Sequence, residues 1–194
     1  MAVVKRVMRT SDNEPQSAWQ DHGETCFPEA APGRSGQVAD ERIAKAFKVT
    51  KFALPVPKWD PPRTDPLVNK PVYFMADFAE AGYESGEIRT IPPGEMLGHE
   101  LRIMPELKSV TYDFGDGTTK GPTTDKGAEY PDGEITHTYE TTDPVQPKIT
   151  AEYTGKYSLD GGDWRPLGIY VEVESDPTTL TPSELTTELV QPPG

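Results

Sequence analysis

The 194-residue chain has 34% hydrophobic residues, 21 prolines and 17 glycines, which allows one substantial domain with appendages, or two small ones, rich in turns. Its net charge of −13 is uneven: residues 1–60 hold 9 Lys and Arg against 8 Asp and Glu, and residues 61–194 hold 10 against 24. So acidic a body repels a phosphate backbone, which excludes nucleic acid as its partner.

The single cysteine, Cys26, excludes an intrachain disulfide, and its irregular surroundings do not resemble a nucleophile's setting. No stretch approaches the ~20 apolar residues of a membrane span, so no membrane insertion is expected. Met1 to Val4 run straight into Lys5 and Arg6, so no signal peptide is read there.

Residues 1–36 are polar, punctuated by Gly and Pro, and without period; they read as an extended arm, mobile in an isolated monomer. Its first ten residues carry Lys5, Arg6 and Arg9 and no acid, and Trp19 and Phe27 are isolated aromatics. Gln37 to Lys51 predicts a short amphipathic helix with Val38, Ile43, Ala46 and Phe47 on one face and a cap at Ser35. Leu54 to Pro62 is a proline-laden connector, extended along a surface with Trp59 as a peg.

From Leu67 the pattern turns to strands. Leu67–Met75 carries Pro71, which favours an edge. Ile88–Ile91 is short, and Glu95–Met104 has no clear facing. Leu107–Phe114 and Ile135–Tyr139 follow. Lys148–Leu159 places Ile149, Ala151 and Tyr153 on one face, continuing to Tyr157 and Leu159. Asp160-Gly161-Gly162-Asp163 predicts a hairpin, and Trp164–Glu174 returns with Ile169, Val171 and Val173 inward. Pro182 to Leu185 reads as a single helical turn. Seven or eight short strands with regular turns fit a sandwich.

The most distinctive feature is Tyr112-Asp113-Phe114-Gly115-Asp116-Gly117-Thr118, answered by Thr136-His137-Thr138-Tyr139. Alternation sends Tyr112 and Phe114 to the core. Gly115 and Gly117 accept positive φ, and Asp113 and Asp116 can bond backbone N–H groups inside the turn. Tyr139 should bury its ring and pin its hydroxyl. Two acids at this spacing are too few for calcium, which takes six to eight oxygens, so neither metal nor cofactor is expected. His22, His99 and His137 share no metal-like spacing, and no P-loop, dinucleotide fingerprint or G-x-S-x-G is present.

The motif pair resembles that of PKD-type (polycystic-kidney-disease repeat) domains. Residues 41–190 further resemble actinobacterial surface proteins with one such domain, through Leu67-Val68-Asn69, Tyr112 to Thr118, Tyr130-Pro131, Thr136 to Tyr139, Tyr153 to Tyr157, Gly161 to Trp164 and Leu185 to Val190. The chain departs from the family at Tyr112, where Trp is typical, and in the absence of an export signal.

The resemblance implies an all-β, immunoglobulin-like (PKD-type) antiparallel β-sandwich over residues 64–178. An N-terminal arm with one short helix and the Pro-rich connector covers residues 1–63, and a Thr/Pro-rich tail covers 179–194. The expected function is non-catalytic structural or adhesive display, outside a virus particle as a capsid decoration or tail accessory protein. A secreted envelope or appendage protein at the bacterial cell surface is the alternative. Partners would be other subunits of an assembly, gripped through residues 1–62 by Lys5, Arg6, Arg9, Trp19, Phe27, Phe47 and Trp59, with a glycan as the second candidate.

Overall fold

The computed structural model describes residues 2–5, 20–24, 38 and 40–185, the first two segments as backbone alone. The strands are β1 (Ala2–Lys5), β2 (Gln20–Glu24), β3 (Pro55–Asp60), β4 (Pro71–Phe78), β5 (Arg89–Ile91), β6 (Leu101–Asp113), β7 (Thr119–Thr123), β8 (Thr136–Thr138), β9 (Lys148–Leu159), β10 (Arg165–Pro166) and β11 (Val171–Glu174). The helix α1 covers Asp40–Lys48, and a 3-10 turn covers Pro93–Glu95. The chain is therefore mostly β, with two antiparallel sheets and one short helix, as an all-β sandwich requires.

One sheet has the order β3-β4-β8, and the other β10-β9-β6-β5, with β11 also on β9 and β7 also on β6. Separately, β1 and β2 form a two-stranded antiparallel pair, Ala2 opposite Glu24 and Lys5 opposite Gln20, inside the segment read from sequence as irregular.

The chain divides into two compact units. The larger comprises residues 50–89, 103–156 and 165–194. Its core follows from period-two patterning. Strand β4 buries Val72, Phe74 and Ala76, while β6 and β9 bury Val110, Tyr112, Ile149, Ala151 and Tyr153. Aromatic edges join the two sheets: Phe74 meets Phe114 at 5.0 Å between ring centroids, and Phe78 meets Tyr153 at 6.4 Å. Tyr153 also stacks on Phe52 at 4.9 Å and donates its hydroxyl to the Ala53 carbonyl at 3.0 Å. Burial pushes this phenol up to about 12.

The proline connector is extended, as its prolines predict, and it also pairs as a strand. β3 runs antiparallel to β4 with Trp59 opposite Phe74. Because β3 lies at the end of the sheet order, Pro55 and Pro57 sit where a missing N–H costs no ladder bond to an outer neighbour. At the other end, pairing passes residue 178. Leu180 exchanges backbone hydrogen bonds with Val145, and Ser183 bridges Leu67. Leu180 is 0% exposed, so the described tail belongs to this unit, and Ser183 lies in a bridge, not in the helical turn read from sequence.

The smaller unit comprises residues 1–49, 90–102 and 157–164. Its helix has Asp40 and Glu41 in the first turn and Lys45 and Lys48 in the last, each sign complementing the helix dipole. Ile43, Ala46 and Phe47 are buried, as are Ile91, Met96 and Leu101 of the same unit. Ser35, the expected cap, lies outside the described residues.

The burial pattern of β6 and β9 slips by one residue along each strand. Leu101 and Ile103 are buried at odd positions, Val110 and Tyr112 at even ones. In β9 the odd series ends at Gly155 and Ser158 is buried instead, leaving Tyr157 and Leu159 half-buried. The expected alternation through Tyr157 and Leu159 fails because the phase changes, which turns every later side chain to the other face. Buried Ser158 is satisfied: its hydroxyl donates to the Gly162 carbonyl at 2.6 Å and accepts from Arg102 at 3.2 Å. The hairpin after β9 forms as its residues predict, with Asp160 at φ 50°, Gly161 at φ 73°, and Gly162 N–H donating to the Leu159 carbonyl.

Candidate functional site

The turn after β6 is closed by its own side chains. Asp113 Oδ1 accepts from the Gly115 N–H at 2.9 Å, and Asp116 Oδ1 accepts from the Thr118 N–H at 3.0 Å and the Thr118 hydroxyl at 2.6 Å. Asp116 Oδ2 lies 2.6 Å from His137 Nε2. The His137 ring stacks on Phe114 at 4.3 Å and meets the Tyr139 edge at 4.7 Å. Tyr139 donates its hydroxyl to the Phe114 carbonyl at 3.0 Å. The two halves of the motif, 21 residues apart at Asp116 and His137, thus meet in one cluster.

Both glycines have positive φ, 83° at Gly115 and 91° at Gly117, but for different reasons. A Cβ on Gly115 would stand 2.6 Å from the Gln146 nitrogen, whereas one on Gly117 would meet nothing within 4 Å. Tyr112 and Phe114 are buried as alternation requires, and the Tyr112 hydroxyl donates to the Asp125 carbonyl at 3.1 Å.

Electrostatics follow this geometry. Burial raises the Asp116 carboxyl, but the Thr118 hydroxyl, the Thr118 N–H and His137 outweigh it and hold it below the usual carboxylate range. Burial pushes the Tyr112 and Tyr139 phenols well above their ordinary value, so neither serves as an acid or base near neutrality. Among the described residues, no three His, Cys, Asp or Glu side chains gather as metal ligands.

A second His–Asp pair lies in the smaller unit. His99 Nδ1 is 2.5 Å from Asp160 Oδ2, and Asp160 Oδ1 accepts from the Glu100 N–H at 2.9 Å. The contact with His99 lowers the Asp160 carboxyl. Nothing in the sequence linked these residues, which lie 61 positions apart.

Lys5 ends β1, and Arg6, Arg9, Trp19 and Phe27 lie outside the described residues, as do Cys26 and His22 for side-chain purposes. Phe47 is 0% exposed within the chain itself, so it is not a surface anchor. Its place on the apolar face of an amphipathic helix explains this burial. Trp59 lines a cleft of about 240 Å³ bounded by Pro57, Lys58, Trp59, Pro62, Met75 and Glu129. Its indole N–H donates to the Arg63 carbonyl at 2.8 Å. Sequence gave no sign of Met75 or Glu129 there, since the β3–β4 pairing and the 129–133 loop are tertiary features.

No family model matches the chain, and no curated protein or solved structure shows significant similarity to it. No helix among the described residues is long and apolar enough to cross a membrane.

Proposed function

We propose that this protein is a non-catalytic structural module whose immunoglobulin-like, PKD-type sandwich is displayed on a larger assembly and held there by its N-terminal residues. One observation carries the reading. The polar groups of the most distinctive motif are spent on the motif itself: Asp113 and Asp116 on turn N–H groups, His137 on Asp116, and Tyr139 on Phe114. A cluster that pairs with itself in this way serves as a scaffold element. The charge division supports the direction of attachment. An acidic body disfavours packing on its like, while Lys5, Arg6 and Arg9 can dock on an acidic surface. The setting preferred is the exterior of a virus particle, with a bacterial envelope or appendage as the alternative.

The test reverses the charges at Lys5, Arg6 and Arg9 to Glu in the full chain. The expected result is an unchanged circular-dichroism spectrum with loss of co-purification with the particle or envelope. Retained attachment would refute the anchoring role of these residues. The particle or cell fraction with which the wild-type chain co-purifies separates the two settings.

A further inference from the structure

We propose that the cleft at Trp59 is a receptor for a single arginine or lysine side chain presented by a basic segment of a partner protein. The proposal does not depend on the attachment of the N-terminal residues.

The walls are apolar. Pro57 and Trp59 come from β3, Met75 from β4, and Pro62 from the segment after β3. At about 240 Å³ the cleft is smaller than a typical small-molecule pocket and suits one side chain. The polar groups around it are almost all engaged. The Trp59 indole N–H is held by Arg63. Lys58 is paired with Asp77. Asp60 Oδ2 accepts from the Tyr130 N–H at 3.1 Å, and Arg63 is held by both oxygens of Asp65 at 2.8 Å. The exception is Glu129, a residue of the cleft lining whose carboxylate has no hydrogen bond or ion pair from another described residue.

An aromatic ring, an aliphatic wall and one carboxylate with no partner among the described residues together match a long cationic side chain. The alkyl stem lies on proline and methionine, the cation faces the indole, and the carboxylate receives the N–H donors. Arginine fits best, because its planar guanidinium both stacks on a ring and grips a carboxylate with two bonds. A sugar fits less well. Its several hydroxyls need several convergent partners, and here the indole N–H and Lys58 are already engaged. The net charge of residues 61–194, 24 acids against 10 bases, favours a basic partner over an acidic one. Tyr130, beside Glu129, is 69% exposed with its ring edge-on to Tyr73 at 5.6 Å, which leaves an aromatic surface for the backbone flanking the inserted side chain.

The experiment titrates the full chain with capped Gly-Gly-Arg-Gly-Gly, with the same peptide bearing citrulline for arginine, and with N-acetylglucosamine, following the Trp59 indole N–H by NMR after assignment with Trp59→Phe. The expected result is a saturable shift of that resonance by the arginine peptide at millimolar concentrations. Affinity should fall about tenfold or more with citrulline or in Glu129→Gln, as loss of a charge-assisted bidentate contact implies. Equal affinity for citrulline, unchanged affinity in Glu129→Gln, a shift by the sugar alone, or no shift by any probe would each overturn the proposal. Because Glu129 is exposed, its replacement by Gln leaves the fold intact, which the unchanged remainder of the spectrum verifies.

Discussion

The Tyr139 hydroxyl donates to the carbonyl of Phe114, 25 residues earlier, and so ties the residue that follows β8 to the residue that opens the turn after β6. Both residues are buried, so neither partner has water to fall back on. Tyr139→Phe should keep the ring packing and leave the Phe114 carbonyl unsatisfied. The expected loss is about 1–3 kcal/mol in urea unfolding, with an unchanged m-value. A variant as stable as wild type would show that the tie contributes nothing.

The two glycines of the turn should differ in kind. Gly117→Ala meets open space and bears only the cost of a left-handed backbone, about 1–2 kcal/mol. Gly115→Ala bears the same strain and also drives a methyl group into the Gln146 backbone, which adds about 1–3 kcal/mol. Thermal melts of the pair check the order. Equal losses would mean that the backbone at Gln146 moves freely aside.

Acid should act through Asp116. Its carboxyl is depressed in the folded chain, so its contribution is full above the ordinary carboxylate range and disappears as pH falls through the depressed folded value. Asp116→Asn should therefore be less stable than wild type at pH near 7, and the gap should close as pH drops below about 4. Urea midpoints for both proteins across that interval measure it, and a gap independent of pH would refute the linkage.

Calcium should leave stability unaltered. The oxygens of Asp116 are occupied by Thr118 and His137, and Asp113 Oδ1 is occupied by Gly115. Melting temperatures with a chelator and with added calcium should coincide, since a ligand that binds the native state raises the midpoint. A calcium-dependent rise would make the two aspartates metal ligands.

The end of the described chain should matter as core. Leu180→Ala should cost about 2–5 kcal/mol, the range for truncating a buried leucine. A loss of a few tenths, typical of a surface site, would show that the pairing with Val145 is dispensable.

The local chemistry of the motif was legible in the residues. Alternation placed Tyr112 and Phe114 inside, glycine supplied the positive φ, and aspartate side chains closed the turn on their own neighbours. The same holds for the Asp160-Gly161 hairpin and for the apolar face of α1, whose Ile43, Ala46 and Phe47 are buried at helical spacing. These features depend on neighbours within a turn or two, where the amino-acid order is also the spatial order.

Tertiary structure decided the rest. Pro55 and Pro57 read as linker, because proline donates no hydrogen bond, yet they stand in a strand because β3 occupies a sheet end. Phe47 could face its own core or a partner until its burial settled the matter. The phase slips in β6 and β9, which bury Ser158 in place of Leu159, leave no mark in the pattern of residue types. His99 with Asp160, and Trp59 with Met75 and Glu129, come together through pairings between distant strands and loops. Composition and period specify which face a segment hides, but not which distant segment will cover it, and that choice made the cleft.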